Sequence, residues 1–211
     1  VLDASVEECT AYEFFLDSRE HEKKAIERGL TFRQVKHSSE HTCYLVTTRE
    51  LGFFLNPREG RSKVSWSKEE DEKIVLDISD TTDVMEEYPI KDGNVLVSAH
   101  SVWLFESLDP IGEIPQTIVT FTTRVNAGGN IPTIAANYNA KKFLSTVSDL
   151  RKKFDKTTEI DAYKRMQTVE EMRKLTAEGS NAFKGRFEEP EGAEEVSGGK
   201  SAAKMMVKVE K

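Results

Sequence analysis

Six strand-like runs follow one another between two short helical stretches and one long amphipathic helix, and this order leaves few folds open. The runs are 31–37, 41–48, 60–67, 73–79, 94–107 and 116–126. Val64-Ser65-Trp66 and Ile74-Val75-Leu76-Asp77-Ile78 carry the period-2 pattern of a half-buried strand. The polar links Ser38-Ser39-Glu40 and 68–72 are hairpin length, so the sheet is expected to be antiparallel. In 60–67, Ser62, Val64 and Trp66 alternate with Arg61 and Lys63, which makes one face dry and the other wet. A sheet with one apolar face must be covered. The available cover is a helix expected to end near Lys156, on which Ala140, Phe143, Leu144, Val147, Leu150 and Phe154 form one stripe. Ile131, Ile134, Ala135 and Tyr138 form a second stripe turned to the far side, which predicts a bend near 137–139. Ahead of the strands, Ser5 and Glu8 make a capping box for a helix reaching about Asp17. Ser18 opens a second helix that Gly29 stops. The fold class is α+β, with an antiparallel sheet packed on a long C-terminal helix. Gly60, Ser62, Ala99 and Ser101 are small residues on the expected inner face, compatible with a cavity there.

Composition narrows the function. The chain has 211 residues, a net charge of -7, and four histidines beside Cys9 and Cys43. Acidic balance argues against nucleic acid as a partner, since phosphate neutralisation needs a basic field. Two cysteines give no disulfide framework, and the histidines are too scattered for a metal site. No apolar run approaches the ~20 residues of a membrane span. Gly128-Gly129 lacks the lysine of a phosphate loop and reads as a turn, and no cofactor is indicated. His100 reads as a hydrogen-bonded structural histidine, and Arg58-Glu59 as a surface pair or turn contact at a strand start. The chain opens on Val1 with no leader pattern, so it is expected to be a piece of a longer protein, with the cytoplasm as default location. Three parts are expected: a folded domain over 1–156, a helical extension over 157–186, and a polar tail over 187–211. The tail is rich in Glu, Gly, Ser and Ala, cannot bury enough apolar surface to offset its ordering entropy, and is expected to be dispensable.

Four segments carry a resemblance. VLDASVEECTAYEFFLD is similar to the strand-to-helix opening of the START domains, the lipid-transfer modules related to the steroidogenic acute regulatory protein. NPREGRSKVSWSKEEDEKIVL resembles their P-R-[DE] segment and the hairpin after it. TIVTFTTRVNAGGNIP resembles their last strand and its exit, and LSTVSDLRKKFDK the end of their terminal helix. Together the segments cover residues 1 to about 156. The resemblance implies a helix-grip fold, a curved antiparallel sheet around the long C-terminal helix, with a single lipid in an internal apolar cavity. It also implies carriage without catalysis and transient contact with a membrane surface. The family's N-terminal helix and first strands have no counterpart here. Asn126 stands where many members have aspartate. Val64 stands where some sterol carriers have a buried arginine. Segment 80–93 occupies the place of the family's lid loop, with Met85 and Tyr88 as its obvious anchors, and is expected to be the most mobile part of the folded region.

On this reading the lipid contacts are Val64, Trp66, Leu76, Trp103, Phe121, Tyr138, Phe143, Leu144 and Val147. Two alternatives stay open. One is a scaffold of the same fold with a filled core, binding partners through the extension and tail. The other is an enzyme of the helix-grip superfamily, which would need ionisable groups converging inside the cavity, whereas the inner-face positions assigned from sequence are apolar or small.

Overall fold

The computed structural model describes residues 1–179 except Phe53, Asp71, Asn130 and Pro132; the side chains of 133–136, 138–139, 142–144 and 176–179 lie outside the description. Helix α1 spans Val6–Phe14 and starts at Ser5, whose hydroxyl accepts from the Glu8 N–H at 3.1 Å. Helix α2 spans Arg19–Glu27, capped in the same way by Ser18. The first helix therefore stops three residues short of the Asp17 expected from sequence, because the chain must turn into the second cap. Seven strands follow: β1 Leu30–Ser39, β2 Thr42–Arg49, β3 Arg58–Glu69, β4 Lys73–Asp80, β5 Val95–Leu96, β6 Ser98–Ile111 and β7 Ile114–Asn126. Helix α3 spans Thr133–Lys153 as one continuous helix, with no separate turn near 137–139, and α4 spans Thr157–Gly179.

The strands form one curved sheet in the order β1-β2-β3-β4-β6-β7, with every one of these neighbours antiparallel. The run expected at 94–107 divides at Val97. Its first part, β5, lies parallel to the start of β3, beside Arg58 and Glu59. β4 leaves β3 at the Ser62–Asp80 pair, so the chain swings out after Asp80 and returns as β5 to fill the vacated place.

One face carries the main core. Trp66, Leu76, Trp103 and Phe121 are register partners in turn, a single row across β3, β4, β6 and β7. The Trp103 and Phe121 rings sit 4.2 Å apart. Leu2, Val6 and Cys9 pack into this core from the N-terminal segment, and Leu150 and Phe154 from the end of α3. Leu2 pairs its backbone with Thr117 of β7, the Thr117 hydroxyl donates to the Ala4 carbonyl at 2.7 Å, and the Asp3 carboxylate accepts from the Lys156 N–H at 2.9 Å. The N-terminal residues thus lace β7 to the end of α3. Burial pushes the Cys9 thiol up to about 12 and the Cys43 thiol to about 11, so neither is a thiolate nucleophile near neutrality.

Residues Val1–Lys164 form one compact unit, which runs past residue 156 into α4, and the described residues from Arg165 on lie outside it. Gly112 explains why. It is the first central residue of the β6–β7 turn at φ +64, a place that favours glycine, and a Cβ there would lie 2.8 Å from the Tyr163 ring. Gly112→Ala should therefore cost about 1–2 kcal/mol, through backbone strain and the push on Tyr163 together. Adding Tyr163→Ala should recover the second part only. An unchanged thermal midpoint for the single variant would mean that the turn and α4 do not pack closely.

Candidate functional site: a polar cleft under the terminal helix

Of the nine residues singled out from sequence, Val64, Leu76 and Trp103 are fully buried in the core, and Trp66, Phe121 and Val147 pack against it from partly buried positions. Trp66 sits toward the β1–β2 turn, its indole donating to the Glu40 carbonyl at 3.2 Å and its ring edge-on to His41. Tyr138, Phe143 and Leu144 fall on α3 with side chains outside the described residues. None of the six described residues of this set lines either of the two cavities considered below.

The first cavity is a cleft of about 170 Å³, walled by α1, α2, β1, β2 and α3. It lies on the core face of the sheet. Arg33 and Val35 of β1 face Thr47 and Leu45 of β2, and Val35 and Leu45 both pack on the core. Arg49 follows on the same face. Leu16, Leu45 and Leu150 supply apolar wall; Glu13, His21, Lys24, Arg28, Arg33, Arg49 and Asp149 make the rest strongly polar. This cleft is thus polar, unlike the apolar cavity expected from sequence. Its ionisable groups come largely from α1, α2 and the ends of β1 and β2, which the sequence reading had not placed on the inner face.

Most of the polar groups are held by named partners. Arg28 pairs with Asp149 at 2.8 Å and ties α2 to α3. Arg33 donates to the Leu16 carbonyl, and Arg49 to the Arg28 carbonyl at 3.1 Å. Glu20 accepts from Tyr12 and Lys24 and, at 2.7 Å, from Lys153, joining α1, α2 and α3; the Lys153 bond is the leading reason why its carboxyl falls to about 2. Lys153 is therefore engaged at the helix junction. Burial lowers the His21 imidazole, and Lys24 adds to the shift. Burial raises the Glu13 carboxyl to about 7, against the pull of Lys24 and Arg28.

The second cavity, about 440 Å³, lies beside Arg61 and is lined by Asp80, Thr81, Thr82, Met85, Leu96, Val97 and Ser98. Arg61 lies on the sheet face opposite Val64, which sequence assigned to water. There it is buried, because segment 81–97 covers it. Arg61 bonds Glu59 at 2.5 Å and the Tyr88 and Pro89 carbonyls, while Glu59 also accepts from Asn94 and the Lys91 N–H. Burial alone would raise Glu59, but the Asn94 and Arg61 bonds outweigh it and hold the carboxyl below its usual range. The ion pair expected between Arg58 and Glu59 is corrected, while Arg58 does make a turn contact. Glu59 pairs with Arg61 rather than Arg58, and all three are buried. Arg58 instead donates to the Ala127 and Gly128 carbonyls, both at 3.1 Å. The glycine turn therefore shows carbonyls to a cation, the reverse of a phosphate cradle, and a Cβ at Gly128 would meet Val95 at 2.7 Å. His100 bonds Asp77 at 2.7 Å across β4 and β6, a cross-strand contact on the exposed face.

No family model and no curated protein matches the sequence. Solved structures do. Human STARD10 superposes with TM-score 0.55 at 14% identity over 72% of this chain. The lipid transfer and protein localization domain of human StarD13 gives 0.54 at 12% over 74% of each chain, and a STAR-related lipid transfer protein of Xanthomonas axonopodis 0.54 at 15% over 72% of this chain and 81% of its own. The fold is START-like. In the START fold a curved sheet grips a terminal helix, and the polar cleft lies where sheet, α2 and α3 meet. The chain spans 58% of the length of STARD10. No helix among the described residues is long and apolar enough to cross a membrane.

Proposed function

We propose that this chain binds a single lipid between its sheet and its terminal helix, and that it acts by carriage rather than catalysis, meeting membranes transiently from the cytoplasm. The observation that carries the reading is the position of the cleft, on the concave face of a START-like fold and roofed by α3. Two of the similar structures are named for lipid transfer, which supports the same reading. At about 170 Å³ the cleft takes a headgroup or a short stretch of chain. Accommodating the rest requires α2 or α3 to move aside, exposing the face on which Val147, Trp103, Phe121, Leu76, Val64 and Trp66 pack. Tyr138, Phe143 and Leu144 are proposed as the helix side of that path. Burial of the acyl chain would supply affinity, about 0.8 kcal/mol per CH2.

The filled core favours a second reading, a START-like scaffold: Val64, Leu76 and Trp103 are at most 2% exposed. The helical extension gives that reading little support. Its exposed apolar residues Tyr163, Met166, Val169, Met172 and Leu175 recur every three positions, so they wind around α4 instead of forming one face.

Native mass spectrometry of the purified protein separates the two. A lipid-sized adduct, identified by extraction, is expected. Ala25→Trp fills the cleft wall without changing charge and should abolish the adduct while shifting the thermal midpoint little. A clean apo mass from the wild type, with no uptake from mixed liposomes, would favour the scaffold.

A further inference from the structure

Building on the lipid-binding reading, we infer that the cleft is an anion subsite, taking the carboxylate or phosphate monoester of a single-chain amphiphile against Arg28, Arg33 and Arg49. Lys24 and these arginines put four cations in the wall, against the carboxyls of Glu13 and Asp149. Glu13 is the weaker counterweight, because burial keeps part of it protonated near neutrality. The cleft therefore has a net positive lining inside a chain whose overall charge is -7, and an anion there would be drawn by local groups against the field of the whole molecule.

The guanidinium groups are already oriented. Arg28 is held by Asp149, Arg33 by the Leu16 carbonyl and Arg49 by the Arg28 carbonyl. A guanidinium carries five N–H donors in a rigid fork, so such bonds fix the plane and leave donors of Arg28 and Arg33 for a second acceptor. Burial also lowers the Arg33 and Arg49 pKa, the mark of cations kept from water, and an incoming anion would offset that cost. The volume corresponds to about five or six waters, the size of a hydrated phosphate or carboxylate. Leu16, Leu45 and Leu150 border the same space and would receive the first methylene groups. An uncharged head would displace water from the arginines without replacing its hydrogen bonds.

Calorimetric titration of the full chain tests this with three probes: 1-oleoyl lysophosphatidic acid and monooleoylglycerol, both below their micellar concentrations, and inorganic phosphate. The lysophosphatidate should bind at least 10-fold tighter than the glycerol ester. Arg33→Gln and Arg49→Gln should each remove at least 10-fold of lysophosphatidate affinity and less than 2-fold of the other. Should a variant be partly unfolded, both lipids weaken alike, so the ratio within one protein still reads the site. Equal affinities, unchanged by the arginine variants, would overturn the anion subsite and leave lipid binding standing. Arginine-dependent binding of inorganic phosphate without either lipid would support the anion chemistry, assign it to a free phosphate and overturn the lipid reading. No binding of any probe would overturn both.

Discussion

Arg61→Ala should lower the unfolding free energy by about 3–5 kcal/mol, a large part of the stability of a domain this size. The reason is what the truncation leaves behind. The Arg61 and Glu59 side chains are 3% and 2% exposed. Removing the guanidinium strands a buried carboxylate that keeps only Asn94 and the Lys91 N–H as partners, and frees the Tyr88 and Pro89 carbonyls. Segment 81–97 should then detach from the outer face, and its amides should exchange faster while those of β6 and β7 do not. Glu59→Met with Arg61→Met should be much milder than either single change, since no charge is left uncompensated. Urea denaturation of the three variants measures this. A loss below about 1 kcal/mol for Arg61→Ala would mean that the pair is hydrated and that the segment is held by Val84, its backbone bonds and the Tyr44–Asp83 and Lys36–Glu87 contacts.

That pair marks where sequence reading stopped. The alternation in β3 was legible, and it put Arg61 and Val64 on opposite faces, as the structure has them. What alternation cannot reveal is whether a distant stretch returns to cover the polar face. Segment 81–97 does so through main-chain carbonyls, which leave no pattern in side-chain identity, and its polar composition suggested a free loop. The Tyr88 and Pro89 carbonyls, not the Met85 and Tyr88 side chains, are the ends that Arg61 grips.

The cleft failed for a different reason. Arg33 and Arg49 stand on the face of Val35 and Leu45 by the same period-2 rule that located Val64 and Trp66. Counting from Val35 and Leu45 would have put two arginines inside. They were passed over because charge is ordinarily read as solvated. The contribution of α2 was not legible at all, because nothing local tells a short charged helix which strand it will lie beside. The capped helices, the hairpins and the end of the terminal stripe (Val147, Leu150 and Phe154) were legible because each rests on contacts within a few residues or on one unbroken period, whereas Ala140 of that stripe is exposed.

Glu13→Gln should make the pH dependence of stability flatter and the protein more stable above neutrality. Glu13 has its carboxyl raised from 4.5 to about 7, mainly by burial. A carboxyl with a raised folded-state pKa binds protons more tightly in the native state. Its contribution to stability is therefore fully present below about pH 4.5 and is lost as pH rises through about 7. Above that, the fold holds a half-buried carboxylate. The groups facing it are Lys24, Arg28 and His21 of α2, Arg33 of β1, Arg49 of β2 and Asp149 of α3. Burial shifts the titration of His21 to lower pH, and because His21 is common to wild type and variant, the difference between the two proteins belongs to Glu13. Partial access to water reduces the effect, and about 2 kcal/mol is expected at pH 8. Denaturant titrations of wild type and variant at both pH values should show the two proteins close at pH 5.5 and the variant ahead at pH 8. The same proton governs the cleft's charge, and lysophosphatidate itself loses its second phosphate proton over this range, so between pH 6 and pH 8 the wild type should gain less affinity for it than the variant does. A wild type as stable relative to the variant at pH 8 as at pH 5.5 would mean that Glu13 is already ionised at the lower pH, with Lys24 and Arg28 outweighing its burial.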